Sequence, residues 1–297
     1  MCLLMFCGLT ASGQWLGYDQ IYRDYNERIE IGESEYIIIY RHEFARGRTR
    51  KMKFYDMQAL EFGKTVSKYS SLTASRIDSL MHDYLTNKKR TRTASQGDGY
   101  NLYEVANLHD NEKAVYEDIY FNYPNVNEQT VLTKILSTEY VYTEPIPQFE
   151  WQILTDTASI LDYQCIKAET TFRGRTYIAW FTPLIPIKSG PWKFNGLPGL
   201  ILKIADTEGF LEWTATGIQK SNNKTIYKYN PKHIKHTDRK SVNKVLDKRW
   251  KDPVGLFFID NPTLKSYTVA LGDEKTEYTK NSNINFQVSY WAIPELE

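Results

Sequence analysis

Two tight hairpins in the C-terminal half of the chain set the strongest limit on its fold. Segments 164–172 and 176–182 alternate apolar and polar residues, and Gly174 between them supplies the positive φ that a tight turn needs. Segments 200–205 and 210–216 repeat the pattern around a second glycine-containing turn. Since parallel pairing needs long crossover connections, these short turns predict an antiparallel sheet.

The aromatic content favours strands elsewhere in the chain as well. The sequence holds 22 Tyr, 13 Phe and 7 Trp, 14% of its residues, and such rings suit the pleated, half-buried surface of a sheet. Segment 36–44 has an aromatic, apolar or histidine side chain at every second residue, which is the period of a strand. Further strands are predicted at 51–60, 115–123, 130–136, 139–144 and 149–154.

Two segments carry the three- and four-residue spacing of amphipathic helices. The first is predicted at 73–89 and the second at 239–251, where Asp238 is a candidate N-cap and Pro253 ends the helix. The fold class predicted from these elements is α+β and strand-dominated. It is a curved antiparallel sheet with two or three helices packed on it, loosely similar to the lipoprotein-carrier fold.

Length and charge exclude several classes of protein. A chain of 297 residues can bury a large core without disulfides or a metal. Its net charge of +1 disfavours a strongly basic nucleic-acid binder. The sequence has no apolar run of 18 residues, which argues against an integral helical membrane protein. We expect one domain over 14–297, with a possible boundary between two lobes in the polar loop 88–99.

The N-terminus resembles a secretory signal. Residues 1–13 form a short apolar stretch that ends in small residues, with Ala11 and Gly13 at the positions that a signal peptidase prefers, although no Lys or Arg precedes it. Cleavage there would remove Cys2 and Cys7 and leave Cys165 as a buried apolar group rather than a nucleophile. The predicted location is therefore the periplasm or the outer-membrane surface.

The connection between the two hairpins is constrained by proline and glycine. Pro198 and Gly199 suit the centre of a type II turn, because proline fixes φ at the first corner and glycine accepts a positive φ at the second. Residues 196–201 read Gly-Leu-Pro-Gly-Leu-Ile, and about 160–215 resembles the GLPGLI family of Bacteroidetes envelope proteins. That resemblance implies an exported, strand-rich protein that accompanies TonB-dependent receptors of the outer membrane, and it carries over no catalytic residues.

The function predicted from these features is a non-enzymatic envelope module that binds an apolar or peptide ligand or docks on a receptor. We expect no cofactor, no metal and no nucleic-acid partner. The connection either has a purely structural role or contacts the ligand or partner directly. Its motif residues are Gly190, Pro191, Trp192, Phe194, Gly196, Leu197, Pro198, Gly199, Leu200 and Ile201.

Two other features keep different functions open. Segment 220–251 is strongly basic, which indicates a solvated face or attraction to an anionic surface. The alternative function is a hydrolase whose site is assembled only in three dimensions, for example from His42 or His109 and a neighbouring carboxylate. His233 and His236 have a spacing that could serve a metal, but no Glu follows them in the pattern of a zinc protease and Pro231 precedes them. The residues of the basic patch are Lys232, Lys235, Arg239, Lys240, Lys244, Lys248 and Arg249.

Overall fold

The structure is a computed structural model of the whole chain, and the residues it describes fall into seven ranges. They are 27–46, 52–90, 111–135, 138–231, 234–251, 266–271 and 274–279. The predicted signal 1–13, most of the loop 88–99, and His109, Lys232 and His233 lie outside these residues.

The described residues form fourteen strands and two helices. In chain order they are β1 (Arg28–Arg46), β2 (Met52–Phe62), β3 (Ser67–Ser71), α1 (Leu72–Arg90), β4 (Glu117–Phe121), β5 (Glu128–Ile135), β6 (Thr138–Pro145), β7 (Gln152–Ile160), β8 (Tyr163–Phe172), β9 (Arg175–Thr182), β10 (Leu200–Asp206), β11 (Leu211–Tyr229), β12 (Ile234–His236), α2 (Arg239–Lys251), β13 (Ser266–Leu271) and β14 (Glu274–Thr279).

Twelve of the strands form one sheet in the order β12-β6-β5-β4-β3-β2-β1-β11-β10-β9-β8-β7. Every pair is antiparallel except β12 with β6, so the sheet is mixed. The strand-dominated fold, both predicted hairpins and both predicted helices are confirmed. The strand predicted at 149–154 is displaced, since β7 begins at Gln152 and continues to Ile160. No helix in the described ranges is long and apolar enough to cross a membrane.

The sheet is assembled from two antiparallel meanders joined along one seam. Strands β2 to β6 follow β1, strands β7 to β10 precede β11, and β1 pairs with β11 from Arg28↔Tyr229 to Phe44↔Leu211. Near the middle of the seam, 221–223 lies opposite a single residue, and Asn222 and Asn223 both adopt positive φ. Such a bulge bends a ribbon of two strands.

The main core lies on one face of the sheet, which we call the inner face. Side chains such as Ile38, Leu60, Trp213 and Ile204 point into it and are essentially buried. Strands β4 to β6 also bury their other face, where Tyr120 and its neighbours pack under residues of the bent ribbon. This second layer explains why β4 to β6 contain runs of consecutive buried residues. In β9, by contrast, buried and half-buried residues mostly alternate.

The sheet curls so far that strands near its opposite ends meet. Glu144 in β6 forms an ion pair with Arg173, in the turn between β8 and β9, at 3.2 Å. Eight places separate β6 and β9 in the sheet order, so only a strongly curved sheet brings them together. The predicted curvature of the sheet agrees with this contact.

Candidate functional site

The connection between β9 and β10 fills the concave inner face. We call residues 183–199 the plug. Trp192 is 4% exposed and its ring lies nearly parallel to that of Trp213, with ring centroids 6.1 Å apart. Phe194 is 1% exposed and meets Tyr177 edge-on at 4.7 Å. The aromatic rings of the plug are thus part of the core rather than displayed on the surface.

Hydrogen bonds hold the plug in one position. The indole N–H of Trp192 donates to Glu117 Oε1 at 3.0 Å, and the indole N–H of Trp151 donates to the carbonyl of Asn195 at 2.8 Å. Just after the plug, at the start of β10, Tyr40 Oη donates to the carbonyl of Ile201 at 2.8 Å. Buried indole and phenol groups need such partners, and these bonds specify where each ring lies.

Gly196 and Gly199 of the plug are required for two different structural reasons, and neither is the predicted type II turn. Gly196 has φ +92°, which favours glycine, but Gly199 does not have a positive φ. The predicted type II turn at Pro198 and Gly199 is therefore wrong. Gly199 is required because a Cβ there would lie 2.2 Å from the carbonyl oxygen of Thr182.

Burial divides the ten predicted motif residues. Only Gly196 and Pro198 are exposed, and the other eight are buried, so the structure gives most of these side chains no solvent-facing contact surface. The exposed members are backbone-turn residues without long side chains. Whether the motif also contacts a ligand or partner stays a prediction.

A row of buried titratable side chains lies on the inner face beside the plug. His42 in β1 is paired across the sheet with Trp213 on one side and with Asp56 on the other. The imidazole stacks on the Trp213 ring with centroids 4.3 Å apart, and Trp213 in turn stacks on Trp192 of the plug. Three nearly parallel rings thus connect β1, β11 and the plug.

Burial shifts both titratable groups of this row. Removal from water lowers the pKa of His42 from 6.5 to about 3, so the imidazole is neutral. The same effect raises the pKa of Asp56 from 3.8 to about 7, although hydrogen bonds from Ser71 and the backbone N–H of Val115 oppose it. The sequence suggested His42 as a functional residue but missed Asp56, whose place opposite His42 depends on the register of β1 with β2.

A polar network surrounds Asp56. Ser71 Oγ donates to Oδ1 at 2.8 Å, and Gln58 Nε2 and the Val115 N–H each donate to Oδ2 at 3.0 Å. Ser71 Oγ also accepts the backbone N–H of Ala74 and so caps α1. These bonds give Ser71 a structural role, because its hydroxyl both donates to Asp56 and caps α1.

The row has shifted pKa values but lacks access and a catalytic pair. His42 is 6% exposed and Asp56 is 0% exposed. Neither ring nitrogen of His42 has a hydrogen-bond partner among the described residues, so no nucleophile–base pair forms there. In this conformation both groups of the row are part of the buried core and neither is accessible to a substrate.

A second charged cluster, which we call the Glu144 cluster, joins the plug to the curled ends of the sheet. Lys193 of the plug is fully buried and donates from Nζ to Glu144 Oε1 at 2.8 Å and to Tyr142 Oη at 3.1 Å. Arg173 and Arg239 pair with the other carboxylate oxygen at 3.2 and 3.4 Å. Four segments remote in sequence therefore meet at one carboxylate.

The charges around Glu144 outweigh its burial. Burial alone would raise the pKa of this carboxyl, but the Lys193 ammonium, the Arg173 guanidinium and the hydrogen bonds hold the pKa below its usual value of 4.5. Glu144 is therefore ionised at neutral pH and compensates the buried ammonium of Lys193.

We expect Glu144→Ala to lower the free energy of unfolding by about 3 kcal/mol, because it leaves the Lys193 charge buried without this carboxylate. Urea denaturation measures the change. Glu212→Ala is the matched control, since its ion pair with Lys203 is over a third exposed at both side chains. Its removal is expected to cost less than about 1 kcal/mol. Equal losses in the two variants would contradict the role given to Glu144.

The predicted basic patch lies partly on α2. Lys235, Lys240, Lys244 and Lys248 are exposed, whereas Arg239 is half-buried at the Glu144 cluster. The side chain of Arg249 and all of Lys232 lie outside the described residues. His236 is exposed, and no group of three or more potential metal ligands occurs among the residues that the structure describes.

Comparisons with known proteins match a different family from the one that the motif suggested. The sequence model of the family described as N-glycanase peptide, N-terminal domain, matches residues 104–244, just under half of the chain. No curated protein matches.

Solved structures with partial similarity include PNGF-II in a P21 crystal form, at 18% identity and a TM-score of 0.45, covering 73% of this chain and 34% of that one. The C2 form gives 18% identity and a TM-score of 0.42, with 72% and 33% covered. An uncharacterized conserved protein from Thermus thermophilus gives 7% identity and a TM-score of 0.32, with 69% and 91% covered. The chain thus spans about a third of the length of PNGF-II.

The family match corrects the family and function predicted from the sequence. The GLPGLI assignment is wrong, because the matching family is the N-glycanase N-terminal domain and its match includes 196–201. The receptor association rested on that assignment and is withdrawn with it. The non-enzymatic docking role, inferred from aromatic strands, export and the lack of catalytic motifs, is contradicted by the same family match. The physical reason lies in the motif, whose glycines and buried apolar residues are explained by packing of the plug and so do not distinguish one family from another.

Proposed function

We propose that this chain serves as the N-terminal domain of an N-glycanase-type hydrolase that acts on glycoproteins with N-linked sugars. The observation that carries this proposal is the family match over residues 104–244. The matched segment runs from before β4 into α2 and includes the plug and the Glu144 cluster. It favours the hydrolase alternative over the docking module.

The geometry of the buried row limits the role that this domain plays. His42 and Asp56, whose pKa values burial shifts, are both buried in the core, and neither lies in the matched segment. We therefore assign no described side chain to bond cleavage. The domain is proposed to bind or present the glycosylated substrate on its rigid curled sheet.

The test compares two fluorescent peptides of the same sequence, one carrying an N-linked oligosaccharide and one unmodified. We expect the chain to bind the glycosylated peptide about ten-fold more tightly, a difference that fluorescence anisotropy resolves. Mass spectrometry of the same mixtures reports any release of the sugar. Release would extend the proposal to catalysis by the chain itself, whereas equal binding without release would overturn it.

The likeness to the lipoprotein-carrier fold is kept as a proposal about architecture. It is supported by the curled sheet with a helix packed against its concave core, where Val242 of α2 is buried. The predicted apolar or peptide ligand and the predicted export stay predictions. Binding of a fluorescent fatty acid tests the first, because the plug must move for an apolar ligand to reach the inner face.

A further inference from the structure

Charge is unevenly divided along this nearly neutral chain. Residues 220–251 hold eleven Lys or Arg against two Asp, a net charge of +9, and the remaining residues together carry −8. The structure shows how part of this excess is displayed. Lys240, Lys244 and Lys248 are exposed on α2 at four-residue intervals, so they form one stripe about 12 Å long. We call these three residues the lysine stripe.

The opposite side of α2 fixes the direction of the lysine stripe. Val242 is 3% exposed in the main core, and Val245 and Leu246 pack against the same core. Arg239 ties the first turn of the helix to Glu144. With its apolar side anchored, α2 cannot rotate to hide the lysines, so the stripe is a permanent surface of the fold.

Acidic groups near the stripe leave most of its charge available. Asp238 caps the helix through the Ser241 N–H at 2.9 Å, and Lys244 is near enough to help lower the pKa of Asp238. Asp247 is the second acidic residue of this region and is also exposed. Within the described part of the chain, none of the three stripe lysines forms an ion pair.

The composition of this face selects the kind of partner. Contacts between proteins are depleted in lysine at their centres and rely on aromatic or apolar anchors, whereas Val242, Val245 and Leu246 of α2 are turned into the core. Attraction to phosphate headgroups needs no such anchor and grows with each lysine near the surface. We propose that the lysine stripe of α2 binds the surface of an anionic lipid bilayer.

Such binding is electrostatic and lies at the membrane surface. No described helix can span a bilayer, and the stripe itself consists of lysines alone. Each lysine contributes separately, and added salt screens the attraction. The proposal concerns where the protein is held and is independent of the proposed action on glycoproteins.

The test uses vesicles of phosphatidylcholine alone and of phosphatidylcholine mixed with phosphatidylglycerol, with binding measured by cosedimentation. We expect the protein to bind only the mixed vesicles. Replacing Lys240, Lys244 and Lys248 together by Gln is expected to weaken binding about 100-fold. The matched control replaces Lys188, Lys220 and Lys224 by Gln, which removes the same charge from other exposed sites and is expected to change binding only a few-fold.

Circular dichroism of each variant shows that the fold is kept, since all six lysines are exposed. Several outcomes would overturn the proposal. They are equal binding to neutral vesicles, equal losses in the two triple variants, or no vesicle binding by a protein whose stripe instead retains duplex DNA or an acidic protein.

Discussion

Replacing Gly199 by alanine is expected to remove a large part of the stability of the folded protein. The added Cβ would lie 2.2 Å from the carbonyl oxygen and 2.6 Å from the carbonyl carbon of Thr182. Both are backbone atoms of β9, which pairs with β10 at Thr182↔Leu200, so neither side can give way without breaking the sheet. We expect a loss of more than about 4 kcal/mol in the free energy of unfolding.

Gly217→Ala is the matched control for this experiment. Gly217 lies in β11, and a Cβ there meets no atom within 4 Å. The control is expected to change stability by less than about 1 kcal/mol. Thermal melting followed by circular dichroism measures both variants. A Gly199→Ala protein that melts like the control would show that the plug is not held against β9 as described.

The second large effect is a change in how stability depends on pH. The folded-state pKa of Asp56 is raised to about 7, so the folded protein keeps a proton that the unfolded chain releases, and stability falls as pH rises from about 4 to about 7. The folded-state pKa of His42 is lowered to about 3, so below about pH 6.5 the unfolded chain binds a proton that the folded protein does not. Stability therefore falls as pH drops below about 6.5. These two slopes oppose each other.

Removing either group should therefore reveal the slope of the other. Asp56→Asn is expected to lose about 3 kcal/mol of stability as pH is lowered from about 6.5 to about 4, because His42 then acts alone. His42→Phe keeps a ring stacked on Trp213 and is expected to lose a similar amount as pH is raised through the same window. Urea denaturation at a series of pH values measures both.

The natural protein is expected to show a much weaker slope from this pair between those limits. Two parallel profiles, in which both variants follow the natural protein, would show that the groups are not buried in the charge states inferred from the fold. If stability changes with pH in opposite directions in the two variants, the inferred charge states of His42 and Asp56 are confirmed. This holds even if a variant is less stable than the natural protein at every pH.

The sequence contained most of the information about strands and little about their distant pairing. Turn glycines and two-residue alternation correctly predicted the β8–β9 and β10–β11 hairpins, because these depend on local backbone geometry. The seam between β1 and β11 is non-local, and the bulge at 221–223 sets its register. No pattern in a single sequence specifies which strand meets another so far along the chain.

The same division applies to the candidate site. Alternation in 36–44 put His42 on the apolar face, and the structure buries it there. The Glu144 cluster was missed, because Lys193 reads as an ordinary surface lysine until the plug folds onto β6. A clue was present in its position between Trp192 and Phe194, where a long aliphatic stem must share their buried environment.

The pairing of β1 with β11 along the seam also determines how late in synthesis the sheet can be completed. Ser34 of β1 and Ser221 of β11 are 187 positions apart and hydrogen-bond to each other. Until β11 has been synthesised, one edge of β1 in the first meander lacks its hydrogen-bonding partner. Closing so large a loop is slow, and an unpaired strand edge can form β-sheet hydrogen bonds with other chains and so aggregate. Newly made chains should therefore depend on protection from aggregation until β11 arrives.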